Sequence, residues 1–81
     1  MRANVYVTLK PSVLDPQGKT VKQALEALGF KHINGVRMGR YVELDLNHST
    51  AAAAKKEVER MCRQLLANPV VEAYRVEIVR K

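Results

Sequence analysis

Tryptophan is missing from this chain, phenylalanine occurs once, and there is a single cysteine, Cys62. One cysteine excludes an internal disulfide, so the 81 residues must be held by packing or by a second subunit. No apolar stretch approaches the roughly 20 residues that cross a bilayer, and the N-terminus passes into an alternating pattern where a signal peptide would carry an apolar run. The expectation is a cytoplasmic protein with no membrane contact. Glycine is scarce, and its four residues form no phosphate-cradling loop. Acidic charge is also in deficit: 14 Lys and Arg against 8 Asp and Glu leave a net charge of +6. That balance permits nucleic acid or an acidic protein surface as a partner, but the basic residues are scattered along the chain, the pattern of a solvated surface. What is present, 47% hydrophobic and 27% charged residues, is the composition of one small globular domain spanning residues 1–81.

Ala3, Val5, Val7 and Leu9 alternate with Asn4, Tyr6 and Thr8, which predicts a strand with one buried face. "VLDPQGKTVKQAL" then opens a helix: Asp15 suits the N-cap and Pro16 the first helical position. Gly18, a poor helix residue in the first turn, implies tight packing or a close backbone approach. Val21, Ala24, Leu25 and Leu28 fall on one helical face, and Gly29 follows as the stop. "HINGVRMGRYVELDL" predicts a strand over residues 33–38, a turn at Gly39 and a strand over residues 41–46. Asn47 or Ser49 is expected to cap a second helix, with Ala51, Ala54, Val58, Met61 and Leu65 inward; Asn68 and Pro69 end it, and Tyr74, Val76 and Ile78 mark a last strand.

The order βαββαβ predicts an α+β, ferredoxin-like sandwich: a four-stranded antiparallel sheet, order 4-1-3-2, with two helices on one face. Alternation assigns Asn4, Tyr6, Thr8, Tyr41, Glu43, Asp45, Arg75 and Glu77 to the bare face. A bare face and open strand edges on so small a chain predict a homodimer, with Tyr6, Tyr41, Arg75 and Glu77 as interface candidates.

Catalytic candidates are few. Cys62 lies beside Met61 on an apolar helix face, as a core thiol does, and His32 and His48 sit at strand ends with no zinc-ligand spacing. Glu43 and Asp45 share a strand face, an arrangement common on exposed sheets. An RNA-recognition motif has the same element order and places aromatics where Tyr6 and Tyr41 fall. One stacking aromatic is missing, however, and Glu43 and Asp45 would repel phosphates, so a protein-facing surface is the better expectation.

Three stretches together, "LKPSVLDPQGKTVKQALEALGF", "GVRMGRYVEL" and "MCRQLLANPVVEAYRVEI", resemble PurS, the small subunit of bacterial phosphoribosylformylglycinamidine (FGAM) synthase. The resemblance implies a non-catalytic homodimer that brings a PurL synthetase and a PurQ glutaminase together for ATP-dependent amidation of formylglycinamide ribonucleotide. It implies no cofactor in this subunit, with ATP and Mg on the synthetase. It also favours Leu14 as a docking knob on a corner shaped by Asp15, Pro16 and Gly18; from the residues alone, Leu14 could equally fold back as a staple on its own helix. Arg37 and Arg40 are further docking candidates.

Overall fold

A computed structural model describes residues 1–80. Its elements are β1 (Arg2–Leu9), α1 (Pro16–Ala27), β2 (Gly39–Asp45), α2 (Ala51–Met61), a π-helical turn (Cys62–Leu66) and β3 (Glu72–Val79). β1 is the central strand of an antiparallel sheet of order β2-β1-β3, with Val5 opposite both Val42 and Val76 and Tyr6 opposite Tyr41 and Arg75. Because alternate residues point to opposite faces, this register gathers Ala3, Val5, Val7, Val42, Leu44, Val76 and Ile78 on one side, where Ala54, Val58 and Cys62 from the second helical segment complete the core. The other side is the polar, tyrosine-bearing face expected from the alternation.

The sheet has three strands among the described residues, not four. Residues 31–38 run without a strand partner, and the hairpin expected at Gly39 is absent. The reason lies in the glycine itself. A tight hairpin turn needs positive φ, and the only glycine with positive φ is Gly29, at 105°, where α1 ends as anticipated. Gly39 is instead paired with Thr8 in the ladder, so close to β1 that a Cβ would press into the Val7 carbonyl oxygen. Its lack of a side chain serves a close approach, and the chain continues straight through it.

The second helix departs from expectation at both ends. Its N-cap is Thr50, whose Oγ1 accepts from the Ala53 amide at 3.1 Å, in place of Asn47 or Ser49. At its C-terminus the Ala67 amide donates to the Cys62 carbonyl, an i→i+5 bond that inserts one residue into the turn. The inward position therefore passes from Leu65, which is 84% exposed, to Leu66, which packs on the core. A strict 3.6-residue period cannot anticipate that shift.

α2 lies over β1 and β3. α1, by contrast, makes no more than marginal contact with any strand or with α2, and Leu28 is 75% exposed. The molecule is accordingly elongated, 49 × 29 × 15 Å, with a radius of gyration of 15.9 Å where a compact domain of this length would have about 12 Å.

Candidate functional site

Two surfaces concentrate the polar geometry. The first is the corner between β1 and α1. Asp15 caps α1 through Oδ1, which accepts from the Gly18 amide at 2.9 Å, and its Oδ2 accepts from the Met38 amide at 2.9 Å. One carboxylate thus ties the helix start to the chain that precedes β2. The amide bonds from Met38 first and Gly18 second hold the Asp15 carboxyl below its ordinary range. Pro16 occupies the first helical turn, and Gly18 is buried because a Cβ there would press into the Val36 carbonyl oxygen and lie 2.8 Å from Asp15 Oδ2. The close backbone approach inferred for Gly18 is what the structure contains. Leu14 is 73% exposed and so does not staple its own helix.

Arg37 is exposed beside Asp15, whose carboxyl it helps to depress. Arg40 is committed within the chain: Nη1 and Nη2 donate to the two Glu72 oxygens, each at 2.9 Å, and Nη2 also donates to the Leu66 carbonyl at 2.8 Å. Glu72 also accepts from the Asn68 amide. The fork-to-carboxylate pairing first, then that amide, lowers the Glu72 pKa, while the Glu72 hydrogen bond raises that of Arg40. Sequence reasoning missed Glu72, which lies 32 residues from Arg40 and is signalled by nothing local. Thr8, Asp15, Met38, Arg40 and Glu72 together line a shallow cleft at this end of the sheet.

The second surface is the bare sheet face, where the register brings Tyr6, Tyr41, Arg75 and Glu77 into one cluster. The two tyrosine rings lie 5.1 Å apart at a 40° tilt, and the Arg75 guanidinium sits 4.1 Å above the Tyr6 ring. Glu77 Oε1 accepts from Asn4 at 3.0 Å and from the Tyr6 hydroxyl at 3.1 Å, and these two bonds lower its pKa. Tyr41 donates to Glu43 at 2.9 Å; desolvation first and the Glu43 bond second raise its pKa. Arg2 approaches Glu43 at 3.8 Å.

Neither surface brings Cys62 together with a histidine. Cys62 is fully buried in the core, and burial first, with Glu59 second, pushes the thiol pKa up, so the nucleophilic thiolate is suppressed. His32 is exposed on the extended segment and His48 is half-buried before α2. Among the described residues, no three His, Cys, Asp or Glu side chains converge as metal ligands, and no helix is long and apolar enough to cross a membrane.

The profile of the PurS family, described as phosphoribosylformylglycinamidine (FGAM) synthase, matches residues 2–80. The chain belongs to the PurS family. It is 49% identical over 74 residues to the PurS subunit of phosphoribosylformylglycinamidine synthase from Synechocystis sp., covering 91% of this chain and 74% of that one. To the Bacillus subtilis PurS subunit it is 44% identical over 77 residues, covering 95% and 90%. The crystal structure of PurS from Methanocaldococcus jannaschii superposes with a TM-score of 0.86 at 37% identity, over 94% of this chain and 92% of that one. A chain of the Thermotoga maritima PurLQS structure superposes equally well, TM-score 0.86 at 29% identity, over 94% and 93%. These neighbours share the α+β architecture of two helices and an antiparallel sheet.

Proposed function

We infer that this protein is the small, non-catalytic subunit of a glutamine-dependent FGAM synthase in purine biosynthesis. Membership of the PurS family over almost the whole chain carries the reading. A PurL-like synthetase and a PurQ-like glutaminase are its partners, as in the PurLQS complex that contains a chain of the same fold. The subunit, a cytoplasmic homodimer, holds the two so that ammonia released from glutamine reaches the synthetase for ATP-dependent amidation of formylglycinamide ribonucleotide. ATP and Mg2+ belong to the synthetase, and this subunit holds neither.

The chemistry of both surfaces suits a scaffold. The one thiol is held protonated in the core, and Arg40 with Glu72 at the corner and Tyr6 with Glu77 on the sheet face are paired within the chain in hydrogen bonds that shape the two surfaces. Docking falls to the corner: Leu14 is an exposed apolar side chain whose backbone is held by Asp15, Pro16 and Gly18, so little entropy is lost on binding, and Arg37 and Arg40 lie at its base. RNA binding is disfavoured because Glu43, Asp45 and Glu77 share the sheet face with the tyrosines.

Reconstitution is the test. Adding this protein to its synthetase and glutaminase should permit FGAM formation from glutamine, while formation from ammonium salts by the synthetase alone should need it far less. Full glutamine-dependent activity without this chain would overturn the reading. So would single-stranded RNA binding at near-physiological salt that is lost on Tyr6→Ala with Tyr41→Ala.

A further inference from the structure

Leu65 and Val70 are the two most exposed large apolar side chains among the described residues, at 84% and 76%, and both belong to one uncharged stretch, "LLANPV", residues 65–70. A single exposed apolar side chain is ordinary on a folded surface; a pair on a backbone pinned at almost every residue is not. Leu65 faces solvent because of the π-helical turn. Continued at the α-helical period, Val58, Met61 and Leu65 would share one inward face, and the bond from the Ala67 amide to the Cys62 carbonyl turns Leu65 out and Leu66 in. Val70 stands on a turn with little freedom: Pro69 fixes the preceding φ, the Val70 amide donates to Asn68 Oδ1 at 3.1 Å, and the Val71 and Glu72 amides donate to the Asn68 carbonyl at 3.2 and 2.7 Å. The Arg40 and Glu72 pair locks the flank, since Arg40 Nη2 donates to the Leu66 carbonyl at 2.8 Å and Glu72 Oε1 accepts from the Asn68 amide at 2.7 Å.

The surroundings of this stretch are basic. From Arg60 to Val71 the chain carries no acidic residue, and Arg63 is exposed and takes part in no ion pair among the described residues. Lys10 is joined to the turn by its amide, which donates to the Val71 carbonyl at 2.9 Å. Glu72 adds no free negative charge, because both of its oxygens are taken by Arg40. We propose that residues 65–70 are a second docking anchor, for a protein partner that presents an apolar surface flanked by carboxylates. Leu65 and Val70 enter the apolar part, and Arg63 and Lys10 meet the carboxylates. The rigid turn limits the entropy lost on binding. The cleft lined by Asp15, Arg40 and Glu72 adjoins this stretch through Arg40 and Glu72 and the Leu14 corner through Asp15, so one partner covers both.

This anchor rests on the reading of the chain as an assembly subunit and adds to it the surface and the chemistry of its complement. Binding of the full chain to the purified synthetase and glutaminase, measured by biolayer interferometry alongside glutamine-dependent FGAM formation, is the test. Leu65→Ala with Val70→Ala should weaken binding at least about thirtyfold, the loss expected of central apolar anchors. Arg63→Glu should weaken it about fivefold or more and make it less sensitive to added salt, because a favourable charge pair has become a repulsive one. Both side chains of the double variant are exposed, so its thermal midpoint and its sedimentation as an isolated protein should match the wild type. Binding by the double variant within about threefold of the wild type would overturn the anchor, as would tighter binding by Arg63→Glu. A changed oligomeric state of the isolated double variant would also overturn it, by assigning the stretch to a second copy of this chain. If these variants bind normally while the wild type supports FGAM formation from glutamine, the anchor falls and the assembly role stands. A wild type that neither binds nor supports that reaction would remove the assembly role and the anchor with it.

Discussion

Replacing Gly18 by alanine sets two opposed effects against each other. In a helix, Gly→Ala ordinarily stabilises by about 1 kcal/mol, through lower backbone entropy in the unfolded chain. At Gly18 the new Cβ would collide with the Val36 carbonyl oxygen and crowd the Asp15 carboxylate at 2.8 Å. The obstructing atom is backbone, so relief requires the segment before β2 to move away from α1 by about 1 Å, in the range where overpacking costs about 1–3 kcal/mol. That same movement stretches the Asp15 bonds to Gly18 and Met38, each 2.9 Å. The collision should win, with a net loss of about 1–2 kcal/mol, which lowers the thermal midpoint of a domain this size by roughly 4–15 °C. Gly35→Ala is the control: its Cβ would meet nothing within 4 Å and its φ is not positive, so the midpoint should hold or rise slightly. Thermal denaturation followed by circular dichroism at pH 7 compares the two directly. A Gly18→Ala midpoint at or above that of the wild type would refute the close-approach argument.

Leu14→Ala should weaken assembly with the synthetase and glutaminase by an interface anchor's worth, more than about 2 kcal/mol, while the midpoint of the isolated protein barely moves; a large midpoint drop with normal assembly would place Leu14 in the core. Leu65→Ala should change stability by no more than about 0.5 kcal/mol and Leu66→Ala by about 1–2 kcal/mol, and the reverse ranking in urea melts would contradict the π-turn register. Cys62→Ser should retain glutamine-dependent activity in the complex at some cost in midpoint, and wild-type Cys62 should resist alkylation at neutral pH until the protein unfolds. Glu72, Glu77 and Asp15 are all held below their ordinary values when folded, so the unfolded chain binds more protons than the native one as pH falls through the carboxylate range. Their stabilisation is complete above the unfolded values, 4.5 for the glutamates and 3.8 for Asp15, and is lost progressively below them; midpoints measured from pH 7 to 2 should fall in that window, and less steeply in Glu72→Gln.

What could be read from the residues was whatever depends on local chemistry or on a short period. Asp15, Pro16 and Gly29 announce the ends of α1 because capping, fixed φ and positive φ act within a few residues. Period-two alternation in β1 and β3 placed Tyr6, Arg75 and Glu77 on one face before any strand was paired, because a strand sends alternate side chains to opposite sides whatever its neighbours are. The three PurS-like stretches likewise carried the family. Tertiary structure decided the remainder. A tight turn and a close strand approach both select glycine, so Gly39 read as a hairpin until its pairing with Thr8 showed which of the two applied. One inserted residue in the turn after Met61 exchanged Leu65 for Leu66, an adjustment made by packing against the sheet. Glu72 became the partner of Arg40 only when β3 was laid against β1, since an ion pair 32 residues apart has no local signature. The apolar face of α1 was legible as a face to be buried, but hydrophobic periodicity is silent about which surface covers it. That assignment depends on the path of the chain after α1, and here the path leads away from the chain's own sheet.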